Sequence, residues 1–485
     1  MTEPGASGTH RRVVVVGGGI TGLATAYYLQ RSVTAGRLDV VVLEAAPRPG
    51  GKMRTECRDG FLIEAGPDSF LTAKPAAVEL CRELGLADAL IPQLQPRGAY
   101  VLRRGRLVPI PAGMRLVHPT RPWALLRSPL LSPAGRLRAL AYPLVPPRRD
   151  AGTDQSVGAY VQRRYGAELL RVLGEPLLAG IHLADPWQLS LAATFPALHA
   201  VPPRSGSSPR SGARRSATMP PEQLPHLRGS PFASLTGGIQ QLSDALAVRL
   251  GRSLRTDTAV AAIRPAAGGY RLRLKSPAVG NTEELTATAV VVTTPAAAAA
   301  QLVNRLNPPL AELLGAAEAT SSAIVTLGYR DPDVALPLPG SGFLVPRGEG
   351  ARLLACTWSS GKWAGRAPGG GVLVRGFVGG WRHPEMLDFS DDELVALVRA
   401  ELAGVLGGGF AGAATPTVRE VQRWPHGTPL YRVGHRTWLA QVQQACAATP
   451  GLWLAGAPYD GVGIPDCIRQ ARATATAAAA YLSGD

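Results

Sequence analysis

Four consecutive valines, Val13–Val16, open the first apolar run and lead directly into Gly17–Gly19. A short β-branched run without alternation predicts a strand buried on both faces, as in a parallel sheet. From Ile20 to about Arg31 the apolar residues Leu23, Ala24, Ala26, Tyr27 and Leu29 recur with helical spacing, and Val40–Leu43 predicts a second buried strand ending at Glu44. Together these elements predict a β-α-β unit. Farther on, Thr72 is placed to cap a helix with Pro75 in its first turn, running to Gly85. Residues 112–200 read as mostly helical with Pro breaks, and 201–232 as a Pro/Ser/Arg/Gly loop. Alternation at 270–275 predicts a strand, as do the run 286–293 and the stretch 321–380. A helix near 391–405, a last strand at Leu452–Leu454 and an Ala-rich helix from Pro465 to Leu482 follow, and no repeat of solenoid length is present.

Composition narrows the class. The 485 residues are 46% apolar and include 56 Gly and 43 Pro without periodicity, which excludes collagen, coiled coil and bulk disorder and predicts two or three globular domains. The stretch 289–303 comes nearest to a membrane span, but Thr293, Thr294 and Pro295 interrupt it. The N-terminal ten residues do not read as a signal peptide, because the apolar run after them is only four residues long. Five widely spaced cysteines without a C-x-x-C argue against a disulfide framework or a metal site and predict a cytoplasmic protein. The net charge of +16 is concentrated: residues 97–149 hold eleven Arg and no Asp or Glu, and 204–228 hold five Arg and one Glu. Such segments predict either a solvated basic face or an anionic partner. Nucleic acid is disfavoured, since no RNP, zinc-finger or helix-turn-helix pattern occurs and aromatics are not interleaved with the arginines.

Candidate chemistry begins at Gly17-x-Gly19-x-x-Gly22, which follows a predicted strand and opens a predicted helix. Gly17 permits the tight turn, Gly19 lets the backbone (with Gly18, Ile20 and Thr21) approach a pyrophosphate, and Gly22 allows close helix–strand packing. Glu44 is placed to accept hydrogen bonds from a ribose diol, with Ala45 beside it. Arg48-x-Gly50-Gly51-Lys52 then predicts a second grip on the diphosphate, and Gly66-Pro67-Asp68-Ser69 a turn that approaches an isoalloxazine ring. Near the other end, Gly456 follows the last strand, and Val462, Gly463 and Ile464 open the final helix, whose dipole would favour negative charge on a reduced flavin.

These motifs resemble the FAD-dependent amine oxidase and phytoene desaturase superfamily, and within it the porphyrinogen oxidases of haem synthesis. The resemblance is carried by VVVVGGGITGLATAYYL (13–29), EAAPRPGGKMRT (44–55), FLIEAGPDSFLTAK (61–74), EPLLAGI (175–181), SLTGGIQQL (234–242), GFLVP (342–346), ACTWSSGKW (355–363) and GVGIPDCI (461–468). It implies an α/β flavoprotein: a Rossmann-type FAD-binding domain (11–90, 233–299 and 416–485), a mixed-sheet substrate domain (185–232 and 300–415) and a helical lobe (91–184). It further implies non-covalent FAD, with Val260 and Trp424 among its contacts, and Cys467 inside the last helix rather than linked to the ring.

The implied reaction is a six-electron oxidation of a porphyrinogen, with flavin N5 as hydride acceptor, oxygen reoxidising the flavin and hydrogen peroxide released. No nucleophile–His–acid set is visible, and no catalytic side chain is assigned. Lys74 and Ile181 match active-site positions of the family, and Phe343, Leu344 and Val345 are placed to wall an apolar macrocycle. Trp358, Lys362 and Trp363 stand in the family pattern with no derivable role. The Gram-positive cast of the motifs, the Arg-rich lobe and the GC-rich composition lean to coproporphyrinogen III, with its four carboxylates, over protoporphyrinogen IX. A flavin amine oxidase is the more distant alternative. A ferrochelatase is a candidate partner of the Arg-rich lobe, and membrane contact is expected to be peripheral at most.

Overall fold

The fold is that of a computed structural model, which describes residues 11–32, 38–146, 153–199, 224–275, 283–412 and 414–484. A five-stranded parallel sheet runs in the order 254–255, 38–43, 11–16, 289–292, 452–454. The four valines sit in its middle strand and serve two cores at once, because successive side chains of a strand point to opposite faces. Val13 and Val15 pack with Leu23 of helix Ile20–Ser32 and Ile468 of helix Ile464–Ser483, while Val14 and Val16 pack with Ile263, Leu272 and Leu302 on the other side. That second face is covered by an antiparallel meander (259–266, 269–275, 283–287) and by helices 296–303, 308–315 and 435–447.

A second, seven-stranded sheet runs 418–429, 319–329, 372–379, 355–358, 342–344, 100–103, 106–109, antiparallel except where 342–344 meets 100–103. Helix Asp391–Leu406 covers one face through Leu394, Val398 and Leu402. A fourth core gathers the short helices between 122 and 199 around Val161, Leu173 and Leu178.

Several expectations change. Hairpin 100–109, expected in the helical lobe, forms one edge of the seven-stranded sheet, and strand 418–429, expected with the FAD-binding segments, forms the other. Residues 300–315, expected in the substrate domain, pack under the parallel sheet through Leu302, Leu310 and Leu314. Each of these segments has an apolar face that either core would accept, so pattern alone does not choose. The early helix spans only Ala76–Glu83, with Pro75 at its N-cap, and the Thr72 hydroxyl donates instead to the Ser230 carbonyl at 2.6 Å. The run 286–293 divides between two sheets. Most of the loop read at 201–232 lies outside the described residues, but Phe232 already begins a strand, Phe232–Leu235.

Candidate functional site

The turn after strand 11–16 opens at the carboxyl edge of the parallel sheet, where ligands of such sheets bind. Gly17 has a φ of +106°, and its N–H donates to the Leu43 carbonyl at 2.8 Å. A Cβ on Gly22 would lie 1.9 Å from the Gly17 carbonyl oxygen, so only glycine lets the helix begin this close to the strand. Gly19 is different: a Cβ there would meet no protein atom within 4 Å, so its backbone faces open space. Gly50 and Gly51, at φ +100° and +57°, bring a second glycine loop alongside, and the Gly50 N–H donates to the Gly18 carbonyl at 2.8 Å. Glu44 accepts from the Gly18 N–H at 2.6 Å and the Ala46 N–H at 2.8 Å. The first turn of helix 20–32 carries no acid, so the positive end of its dipole is uncompensated by its own side chains.

These surfaces bound a cavity of 1210 Å³. Gly17, Gly19, Ile20, Thr21, Glu44, Ala45, Gly51, Lys52, Pro67, Ser69, Ile181, Val260, Val462, Gly463 and Ile464 all line it. Gly18, Gly22, Gly66 and Gly456 do not line it but shape its wall. A Cβ on Gly66 would lie 2.0 Å from the Lys52 carbonyl oxygen, and Gly456 at φ +131° donates its N–H to Gln470 Oε1 at 3.2 Å. Lys52 Nζ donates to the Gly427 carbonyl, and burial lowers its pKa, so the ammonium gains from any anion placed beside it. Cys467 also lines the cavity; burial pushes its thiol up to about 11, which keeps it neutral and poorly nucleophilic.

Other sequence-predicted residues are engaged elsewhere. Arg48 does not reach the cavity: its guanidinium donates to the carbonyls of Pro49, Gly51 and Met53 at 2.9–3.0 Å, pinning the glycine loop from behind. Asp68 also turns away. It accepts from Lys362 Nζ at 2.9 Å and from Trp363 Nε1 at 3.3 Å, which gives a place to two residues left without one by the sequence. Burial alone would raise its pKa, but Lys362 and Arg375 outweigh burial and hold it well below the usual carboxylate range. Trp424 stands behind the wall, its Nε1 donating to the Ala65 carbonyl at 2.8 Å.

Phe343 and Val345 do not wall the cavity. Both are buried in the core of the seven-stranded sheet, whereas Leu344 points to the other face, towards Gly180. The pleat separates them, since neighbours in a strand take opposite faces. Ile181 is 51% exposed on helix Glu175–His182, and Lys74 Nζ lies 2.6 and 2.8 Å from the two oxygens of Asp466.

Some contributors were not singled out by sequence. Thr293 Oγ1 lies 3.0 Å from the carbonyls of both Val16 and Gly17. Tyr431 donates to the Ala457 carbonyl at 2.6 Å and accepts from the Gly461 N–H at 2.8 Å, fixing the loop before the last helix. A Thr-Thr-Pro after a buried strand was a usable signal for the first, and nothing local marked the second. Among the described residues no group of His, Cys, Asp and Glu is able to hold a metal, and no helix is long and apolar enough to cross a membrane.

The donor set fits a flavin dinucleotide. Gly19 offers open backbone at a helix N-terminus, Glu44 lies at the end of the second strand, and Lys52 and a second helix N-terminus at Ile464 face the same cavity. The model of the family described as flavin containing amine oxidoreductase matches residues 20–479. Coproporphyrinogen III oxidase of Bacillus subtilis (strain 168) is 34% identical over 97% of this chain and 98% of its own. The chloroplastic protoporphyrinogen oxidase of Nicotiana tabacum is 30% identical over 97% of this chain and 86% of its own. Among solved structures, a protein provisionally assigned as a protoporphyrinogen oxidase from Exiguobacterium sp. 255-15 superposes with a TM-score of 0.81 at 32% identity, covering 97% of this chain and 99% of its own. The chain therefore belongs to the flavin containing amine oxidoreductase family and, within it, to the porphyrinogen oxidases, with FAD as its cofactor.

Proposed function

We propose that the protein oxidises coproporphyrinogen III to coproporphyrin III, three molecules of oxygen accepting six electrons and leaving as three of hydrogen peroxide. The observation that carries this reading is the near full-length identity of 34% and 36% to coproporphyrinogen III oxidases of Bacillus subtilis and Propionibacterium freudenreichii, above the 30% to the tobacco protoporphyrinogen oxidase. The Arg-rich segment no longer supports the choice, since none of the described residues of 97–149 lines the cavity. Several of its arginines are used internally: Arg136 and Arg138 donate to backbone carbonyls, and Arg103 lies within 3.6–3.8 Å of Glu168 and Glu349.

Bound FAD supplies a two-electron acceptor in each of three rounds, and the chain supplies orientation and field. Ile181 offers an apolar surface at the cavity for the macrocycle. Lys74 does not line the cavity itself; half-exposed and paired with Asp466, it would reach a substrate carboxylate by giving up part of that pairing. Lys52 favours negative charge as electrons arrive, whereas the N-terminus of helix 464–483 is already partly compensated by Asp466 in its own first turn. The protein works in the cytoplasm on this reading, and the exposed Arg121 and Arg127 suit an acidic surface of the ferrochelatase that consumes the product.

The deciding experiment offers coproporphyrinogen III and protoporphyrinogen IX side by side to the FAD-loaded protein in air, following porphyrin fluorescence against an enzyme-free control. A higher kcat/KM for coproporphyrinogen is expected. A preference for protoporphyrinogen overturns the substrate, and turnover of neither overturns the reaction.

A further inference from the structure

Behind the Gly66–Ser69 wall of the cavity lie five charged side chains that binding a dinucleotide does not itself require. Glu64 and Asp68 supply two carboxylates, and Lys362, Arg366 and Arg375 supply three cations. All five side chains are between 0% and 14% exposed. Lys362 holds both oxygens of Asp68 at 2.9 Å, and Arg375 stands 3.7 Å from the same carboxylate while donating to the Gly66 carbonyl. Arg366 donates to the Ser234 hydroxyl at 2.9 Å and the Leu235 carbonyl at 2.8 Å, and lies 3.8 Å from Glu64. Glu64 in turn accepts from the Thr55 hydroxyl at 2.7 Å and the Ile239 N–H at 2.8 Å.

Charges this deep are costly, and an apolar cluster of the same volume would hold the fold as well or better. Their place is informative: the residues they grip, Gly66 and Asp68, alternate with Pro67 and Ser69, which line the cavity. Three cations against two carboxylates leave one net positive charge. Burial raises the pKa of Glu64, and its protonation would make the cluster more positive still.

We propose that this cluster, through Lys362 and Arg375, is a positioning device of the FAD site that raises the two-electron reduction potential. Uptake of two electrons and one proton adds one net negative charge to the cofactor. A net positive charge fixed in a dry interior favours that addition, and the hydrogen bonds that hold it mean nothing need reorganise when the electrons arrive. The inference rests on FAD occupying the cavity and is independent of which porphyrinogen is the substrate.

The test is a dye-equilibrated spectroscopic titration of the flavin, without substrate, in wild type, Lys362→Met, Lys362→Arg and Asp68→Asn. Lys362→Met is expected to shift the equilibrium at least tenfold towards the oxidised form, a potential about 30 mV lower. Lys362→Arg should stay near wild type, and Asp68→Asn should move the potential upward. A packing role alone predicts that Met and Asn variants lose order together and shift in the same direction. Shifts of one sign, or no shift in variants that retain FAD, overturn the proposal. Should Lys362→Met fail to fold, an unchanged or lowered potential in Asp68→Asn overturns it by itself. Failure of the wild type to take up FAD overturns the reading of the cavity, and the proposal with it.

Discussion

At the level of single residues, two glycines of one motif do different work, and the difference is measurable. A Cβ on Gly22 collides with backbone, whereas one on Gly19 meets nothing of the protein and projects into the cavity. Gly22→Ala is therefore expected to lower stability by several kcal/mol, because the 1.9 Å approach forces the helix off the strand (overpacking costs roughly 1–3 kcal/mol even between side chains). Gly19→Ala should fold with nearly unchanged apo stability and lose FAD. Thermal unfolding with and without FAD, together with the flavin absorbance of the purified proteins, separates the two. Equal stability losses would show that the open space at Gly19 is not where the cofactor lies.

His182 gives a second residue-scale outcome. Burial, helped by the charge of Lys74, lowers its pKa from 6.5 to about 4, and its Nδ1 has no hydrogen-bond partner. The folded pKa lies below the unfolded one, so between pH 6.5 and 4 the unfolded chain holds a proton that the folded chain lacks. Stability is complete above that window and declines as pH falls through it, by roughly 3 kcal/mol from this residue. Urea unfolding at pH 7 and pH 4.5 should show a smaller acid loss in His182→Gln than in wild type. An identical loss would assign the acid limb to other groups.

At the scale of elements, the cavity exists because strands and loops far apart in sequence are tied at a few points. Lys52 reaches the Gly427 carbonyl at the end of the edge strand, Trp424 holds Ala65, and Tyr431 grips both ends of the loop before the last helix. Tyr431→Phe leaves the Gly461 N–H and the Ala457 carbonyl without their partner, at a cost of about 1–3 kcal/mol. Because Pro458, Val462 and Gly463 line the cavity, the loosened loop should also weaken FAD retention, read as a higher Kd by fluorescence titration. A stability loss with unchanged FAD affinity would limit Tyr431 to a packing role. The glycine-rich turn, the two buried strands and the final helix were legible here, since each rests on a local pattern. The pairing of Asp68 with Lys362 was not, because the two lie 294 residues apart and meet only once other segments have packed.

Across the whole molecule, the cofactor cavity is walled by segments from residue 16 to residue 467, so bound FAD would add contacts among parts of the chain that the parallel sheet already joins. Binding to the folded state alone stabilises by linkage, about 2.7 kcal/mol at a hundredfold excess over Kd. The melting temperature should therefore rise with added FAD, and acid precipitation should release all the flavin into the supernatant, since the neutral Cys467 forms no link. Flavin remaining with the pellet would contradict non-covalent binding.

By itself the sequence determined the β-α-β unit, the dinucleotide motif and the family, because backbone freedom at glycine and periodic burial are local demands that leave local marks. Only the tertiary structure decided which sheet edge hairpin 100–109 and strand 418–429 join. It also turned Phe343 and Val345 into a core, and set Asp68 against Lys362 rather than towards the cofactor. The physical reason is the same in each case. A strand's apolar face and a side chain's charge specify what kind of partner is needed, and the packing of distant segments selects which partner that is.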